Sequence, residues 1–261
     1  MRSLDVAATG LAAQQLHVDT ISHNLANMTT TGYKAERAEF QDLLYQDLKR
    51  VGSNSTDQGT VLPVGLQIGL GVKTGAIGRN TGQGTLQSTE NSLDLAIQGK
   101  GYFRIQLADG SDAYTRDGSF KLSPEGIIVT SEGFPVQPSI TIPNNAVSVS
   151  INQSGQVEVN LQGQVDPQNL GQLELSTFVN PEGLHAMGSN LYAESAASGN
   201  ALTSNPGLDS TGTLLQGYLE SSNVNSVTEI TDLIVAQRAY EMNTKVLKAS
   251  DEMLQSLNQS A

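Results

Sequence analysis

The sequence predicts an α+β protein, with a helix at each end and an all-β module, a sandwich or irregular barrel, inserted between them; the two helices are expected to pair as a coiled-coil-like domain. Both ends carry seven-residue apolar repeats, whereas the middle is a series of short alternating runs broken by Gly turns. Large apolar side chains are scarce, at 38% hydrophobic and 5% aromatic with no Trp, so a single deep core is not expected to hold all 261 residues. The expected organisation is an N-terminal helix within 1–32, a linker over 33–84, a β-rich domain over 85–217 and a C-terminal helix within 218–261.

Residues 3–28 read as the first helix. Leu4, Leu11, Val18 and Leu25 fill one heptad position, and Ala7, Gln14, Ile21 and Met28 fill the other. That is a coiled-coil seam with one polar interruption, at Gln14. The helix is expected to stop in Met28-Thr29-Thr30-Thr31-Gly32, because β-branched Thr and Gly both oppose continuation.

In the linker, Phe40, Leu43, Leu44 and Leu48 recur at helical spacing and predict a short amphipathic helix. Val51–Thr60 is polar and rich in Ser, Asn, Asp and Gly, an exposed loop. From Leu62 to Val72 the pattern changes again. Leu66, Ile68, Leu70 and Val72 alternate with Gly69 and Gly71 among them, which predicts an extended ribbon lying close against other backbone.

From about Thr85 to Gly217 the period is two. Tyr102–Leu107 alternates and then meets Asp109-Gly110; Val147, Val149 and Ile151 alternate with Ser; Val157, Val159 and Leu161 form another run. Asp117-Gly118, Glu125-Gly126, Glu132-Gly133 and Ser154-Gly155 supply the turns. Helix returns from Asn223, with Asn223 or Asn225 placed to cap it and Glu229 and Asp232 near its positive end. Ile230, Leu233, Tyr240, Leu247 and Leu254 form one stripe, and Val246, Ala249, Met253 and Leu257 a neighbouring one. A helix that is apolar on two sides contacts more than one partner helix.

The chemistry the sequence excludes is as informative. Its 14 basic and 26 acidic residues leave a net charge of −12, which opposes binding to nucleic acid or to anionic lipid. With no Cys, there is no disulfide and no thiolate site. The N-terminal segment lacks an unbroken apolar stretch, so no cleaved signal peptide and no direct membrane insertion are expected. His17 and His23 are six apart on one helix, not the i, i+4 pair that grips a metal, and His185 is read as isolated in a loop. After Gly69-Leu70-Gly71 no helix pattern follows, Gly75, Gly78 and Gly82 break the chain further, and a Gly-Lys-Ser/Thr run is lacking, so no phosphate loop is read there. No carboxylate sits in an aromatic-rich setting that would suit a glycosidase pair. No catalytic residue, cofactor or metal ligand is assigned.

Two segments then carry a family resemblance. Ile21–Lys34 (ISHNLANMTTTGYK) resembles the N-terminal signature of the bacterial flagellar rod, hook and hook-associated proteins, and Gln237–Asn243 (QRAYEMN) resembles their C-terminal one. Met28 stands where Val or Asn is more usual in that family, and Tyr33 where Phe is common. Glu39–Gln46, Leu62–Val72, Ala113–Phe120 and Ser221–Asn225 narrow the likeness to the distal-rod branch, and together these segments span essentially the whole chain.

The resemblance implies a structural subunit of a helical tubular homopolymer, the straight drive shaft that transmits torque to the hook and forms part of the export channel. Implied partners are the proximal rod proteins, the hook protein, the peptidoglycan-ring and outer-membrane-ring proteins that act as a bushing, and the flagellar type III export apparatus. The implied place is the basal body, from periplasm to outer membrane, reached without a cleaved signal.

The expected assembly interface combines the apolar stripes with signature positions. It comprises Leu4, Leu11, Val18, Ile21, Asn24, Leu25, Asn27, Gly32 and Tyr33; Phe40, Leu43, Leu66, Ile68, Gly69 and Gly71; and Ile230, Leu233, Gln237, Arg238, Tyr240, Leu247 and Leu254. Two other readings were weighed: a proximal-rod or hook-type protein of the same family, and a secreted β-rich binding module, for which the helical ends would be unexplained.

Overall fold

A computed structural model describes residues 2–49, 65–164 and 166–259. The polar stretch Val51–Thr60 and the start of the ribbon at Leu62-Pro63-Val64 lie outside the described residues, as does the Leu257 side chain. Two long helices bracket the chain, α1 (Arg2–Ala26) and α2 (Ser226–Gln259), and the middle is β-rich. Asp5 lies in the first turn of α1 and His23 in its last, complementing the helix dipole. After α1 the chain turns at Gly32, whose φ of +68° is open to Gly at little cost.

The chain divides into two compact units. The first comprises residues 1–25, 36–78 and 226–261, so it joins both helices to the segment after the first turn. The described residues of that segment are not helical. Phe40 lies on strand β1 (Glu36–Asp42), Leu43 and Leu44 form the link, and Leu48 lies on β2 (Tyr45–Lys49). Along β1 the half-buried positions Glu36, Ala38 and Phe40 alternate with exposed Arg37 and Glu39. That is a period of two, so the expected amphipathic helix is replaced by strand. β3 (Leu66–Gly69) pairs with β2 and β4 (Val72–Arg79) with β1, giving the extended ribbon. Tyr45 stands opposite Gly69 and Gln46 opposite Ile68, with an irregularity between Asp47 and Lys49.

The second unit comprises residues 26–35 and 79–225. Its largest sheet is antiparallel, ordered His185–Gly188, Leu191–Ala193, Asp112–Thr115, Tyr102–Gln106, Leu175–Thr177 and Leu202–Ser204, with Val136–Gln137 also on Tyr102–Gln106. His185 thus lies on an edge strand, not in a loop. A three-stranded sheet, Ala146–Ile151, Gln156–Leu161 and Gln168–Gln172, contributes Ile151, Val157 and Val159 to the same core as Phe103, Leu175 and Ile97. Phe103 and Phe120 meet edge to face, with ring centroids 4.9 Å apart.

Candidate assembly surfaces

In the helical unit, α1 and α2 touch at three described points. Ser250 Oγ lies 3.4 Å from Ser3 Oγ, and Asn24 Nδ2 donates to Glu229 Oε1 at 3.2 Å. A Cβ on Gly10 would come within 3.1 Å of Asn243 Nδ2. These positions step by seven or fourteen residues in opposite directions on the two helices, an antiparallel heptad register. On α1 these contacts fall at Ser3, Gly10 and Asn24, each one residue before Leu4, Leu11 and Leu25.

Leu4, Leu11, Val18 and Leu25 are half-buried, as are Leu233, Leu247 and Leu254; Ile21 is buried. Ile230 and Tyr240 are exposed, as are Gln237 and Arg238. The buried residues of the helices are small or polar: Ala7, Ala13, Thr20, Asn24, Ala236 and Ser250, with Ile21 the one large apolar side chain among those described.

Asn24 is the anchor of this unit. It is 2% exposed, and its amide brackets Glu36: Nδ2 donates to Glu36 O at 2.7 Å and Oδ1 accepts from Glu36 N at 2.8 Å. With its third bond, to Glu229, one side chain ties the end of α1 to the start of β1 and the first turn of α2. His23 Nδ1 approaches Glu36 Oε2 at 3.4 Å, and the His17 ring meets Phe40 edge to face at 6.0 Å.

The ribbon is fastened further along α1. Thr9 Oγ1 donates to Val6 O at 2.8 Å and accepts from Val72 N at 3.3 Å. Gly71, at φ +121°, lies so close to Thr9 that a Cβ there would collide with Oγ1. Leu43 N donates to Gly71 O at 2.8 Å and Leu70 N to Leu44 O at 3.2 Å, closing the hairpin. Beyond this clasp Leu66, Ile68, Leu44, Tyr45 and Leu48 are exposed, Leu44 at 82%, while Gly69 packs under the Tyr45 ring. Phe40, Leu43, Gly69 and Gly71 are half-buried.

The remaining signature residues hold the β unit together. Lys34 Nζ and Arg116 Nε each bond Glu220 at 2.6 Å, one to each carboxylate oxygen, and Gly84 N donates to Oε1 at 2.8 Å. All three charged side chains are buried. Arg116 spends its other nitrogens on the carbonyls of Gly101, Ile97 and Gly99, and Lys34 reaches Gly82 O. Burial lowers the Lys34 pKa against the opposing pull of Glu220. Burial alone would raise the Glu220 carboxyl, but the Arg116 charge and the bonds from Lys34 and Arg116 hold it below its ordinary value.

Gly32 N donates to Glu220 O at 2.7 Å, and a Cβ on Gly32 would come within 2.9 Å of the Arg116 carbonyl carbon. Gly32 and Tyr33 are buried, and half-buried Asn27 accepts from Thr30 Oγ1 at 3.1 Å. Asn223 does not cap α2. It ties Ala35 N at 2.7 Å to the carbonyls of Asn80 and Gly82 at 2.9 Å. Glu220 and Thr9 were not among the residues picked out from sequence, and nothing local marks them: each matters through a partner far along the chain.

A second face of α2 is uncovered. Val235, Met242, Val246 and Met253 are exposed, with Ala239 and Ala249 completing the heptad between them. Beside the helix contact lies an open groove of about 400 Å³, lined by Gln15, Val18, Gln237, Tyr240 and Glu241. Exposed Leu, Ile, Val, Met and Tyr gather on the unit that holds the helices and ribbon.

Residues 4–34 match the family described as flagella basal body rod protein, 96–159 the flagellar hook protein FlgE/F/G D1 domain, and 215–260 the flagellar basal body rod FlgEFG protein C-terminal. The flagellar basal-body rod protein FlgG of Caulobacter vibrioides is 54% identical over 99% of both chains. Its namesake in Borreliella burgdorferi is 47% identical over 97% of this chain and 96% of its own. A more distant relative, the flagellar hook-basal body complex protein FlhP of Bacillus subtilis, is 30% identical over 99% of this chain and 98% of its own. Identity of this depth over the full length, together with three matching segments in order, leads to one conclusion: the chain belongs to the FlgG family of flagellar basal-body rod proteins and is a structural subunit of the distal rod.

Proposed function

We propose that this subunit polymerises head to tail, through its terminal helices and ribbon, into the straight tubular shaft that carries torque to the hook and forms part of the export channel. The observation that carries this reading is the exposed heptad on α2, Val235, Met242, Val246 and Met253, on a helix whose described buried residues are only Ala236 and Ser250. Apolar side chains in heptad register and open to water are stabilised by a further helix.

In this reading α1 and α2 pair as a short antiparallel coiled coil, supported by the heptad steps between Ser3 and Ser250, Gly10 and Asn243, and Asn24 and Glu229. The β unit packs as a sandwich-like module, supported by the core its two larger sheets share. Stiffness comes from the ribbon, whose exposed Leu66 and Ile68 bear on neighbouring subunits. The shaft joins proximal rod proteins below and hook protein above, and turns within the peptidoglycan and outer-membrane rings. Its subunits arrive through the flagellar export apparatus, and it performs no catalysis.

Leu247→Asp tests the reading. A carboxylate at the half-buried edge of the helix contact should abolish sedimentable filaments while leaving the β unit's tyrosine fluorescence native. Normal straight filaments from that variant would remove the helices from the assembly contact.

A further inference from the structure

We infer that the exposed ridge on one flank of α2 and the groove on its other flank are the two halves of a single contact between copies of this chain. The inference rests on the polymerisation reading above and specifies which surfaces mate.

The ridge is Val235, Ala239, Met242, Val246, Ala249 and Met253, spaced four and three residues alternately. The groove uses Gln237, Tyr240 and Glu241 of the same helix, with Gln15 and Val18 of α1 as its opposite wall. At about 100° per residue, these two sets of α2 side chains point roughly half a turn apart. One helix therefore carries a convex apolar surface on one flank and borders a concave surface of mixed polar and apolar side chains on the other.

That arrangement determines the kind of partner. A contact between unlike surfaces on opposite flanks leaves every bound copy with one ridge and one groove still free, so it propagates. A two-fold contact of ridge on ridge would leave the groove empty. It would also set Lys245, which borders the ridge, against the same residue of the second copy. Arg238 already pairs with Glu241 of its own helix at 3.2 Å, so in the ridge-to-groove arrangement Lys245 is the cation brought to the groove wall that carries Glu241. The side chains suit each other as well. The ridge offers flexible Met242 and Met253, whose sulfurs pack well against an aromatic ring, and the groove offers Tyr240.

Because the chain contains no Cys, a disulfide between two introduced thiols reports this contact without interference. Full-length Val18→Cys carries the groove probe and full-length Val246→Cys the ridge probe, with Gln237→Cys as a second groove probe at an exposed site. Equal amounts of one groove variant and the ridge variant are assembled together at high concentration and mildly oxidised. A disulfide forms only where the two Cα atoms come within about 7 Å.

The expected result is a mixed dimer of groove and ridge variants in the sedimented fraction, with neither variant dimerising alone. Filaments that form without the mixed dimer from either groove probe, or with Val246→Cys joined to itself, would overturn the ridge-to-groove contact and leave polymerisation standing. Absence of any sedimentable assembly, including from the unmodified chain, would overturn the polymerisation reading and this inference with it.

Discussion

Glu220 and Lys34 meet at 2.6 Å inside the β unit, 186 residues apart in sequence, and Arg116 closes the other side of the same carboxylate at 2.6 Å. The cluster carries two cations for one anion, and its balance is completed by backbone carbonyls. Removing the anion and removing one cation are therefore very different changes.

Glu220→Gln keeps the shape but strands two buried cations, and should destabilise the β unit by roughly 3–5 kcal/mol. Lys34→Met leaves the neutral Arg116–Glu220 pair and should cost far less; combined with Glu220→Gln, it should restore part of the loss. Urea unfolding followed by tyrosine fluorescence measures this, since Tyr33, Tyr102, Tyr114, Tyr192 and Tyr218 lie in that unit and there is no Trp. Equal effects of the two single substitutions would contradict the charge account.

The same unit should weaken at both extremes of pH. The Glu220 carboxyl is held below its ordinary 4.5, so its contribution is intact above that value and is lost as pH falls through the folded-state pKa. The Tyr114 phenol is raised above its ordinary 10.0, first by burial and then by its bond to Glu194, and burial also raises Tyr102. Raised phenols favour the folded state below pH 10.0, a contribution lost as pH climbs above it, because the unfolded chain ionises first. Tyr114→Phe should flatten the alkaline limb of a stability–pH curve and leave the acid limb unchanged.

Asn24→Ala removes both bonds to Glu36 and the link to Glu229, leaving backbone groups of Glu36 unpaired at a cost of roughly 2 kcal/mol. Hydrogen exchange at Glu36 N–H should accelerate, while exchange in the β unit stays as it was. Unchanged protection at Glu36 would mean that the bracket is not what holds β1.

Gly71→Ala combines a collision with Thr9 Oγ1 and a left-handed φ of +121°, and should loosen the ribbon from α1 by about 1–3 kcal/mol. Gly10→Ala is a control of opposite character. Its new Cβ meets only the flexible end of Asn243, and Ala favours helix, so stability should change by less than about 1 kcal/mol. Exchange rates over 66–79 separate the two: fast for the first variant, unchanged for the second.

The two helices were legible because their signal is local. Leu4, Leu11, Val18 and Leu25, and Leu233, Leu247 and Leu254, repeat at a spacing that a helix satisfies; the first helix ends at Ala26, just ahead of the Thr29–Gly32 run where the backbone turns. The β character of the middle was legible for the same reason, through alternation and Gly turns. Phe40, Leu43, Leu44 and Leu48 misled because four apolar residues over nine positions fit a helix as well as two strands with a link; pairing of β1 with β4 and β2 with β3 decided between them.

What the sequence determined by itself, then, was the kind of element at each place, the apolar positions that recur, and membership of a family of structural rod subunits. Only the tertiary structure decided which residues meet. Described contacts between the helices are made at Ser3, Gly10 and Asn24, each one residue before a leucine of the stripe, because which part of a helical face meets its partner depends on how the two helices are placed and not on the repeat. Lys34, Arg116 and Glu220 share one site because three distant segments converge there, and a charge buried in a folded chain is stable only beside its partner. Periodicity is a property of neighbours along the chain; these contacts are made between neighbours in space.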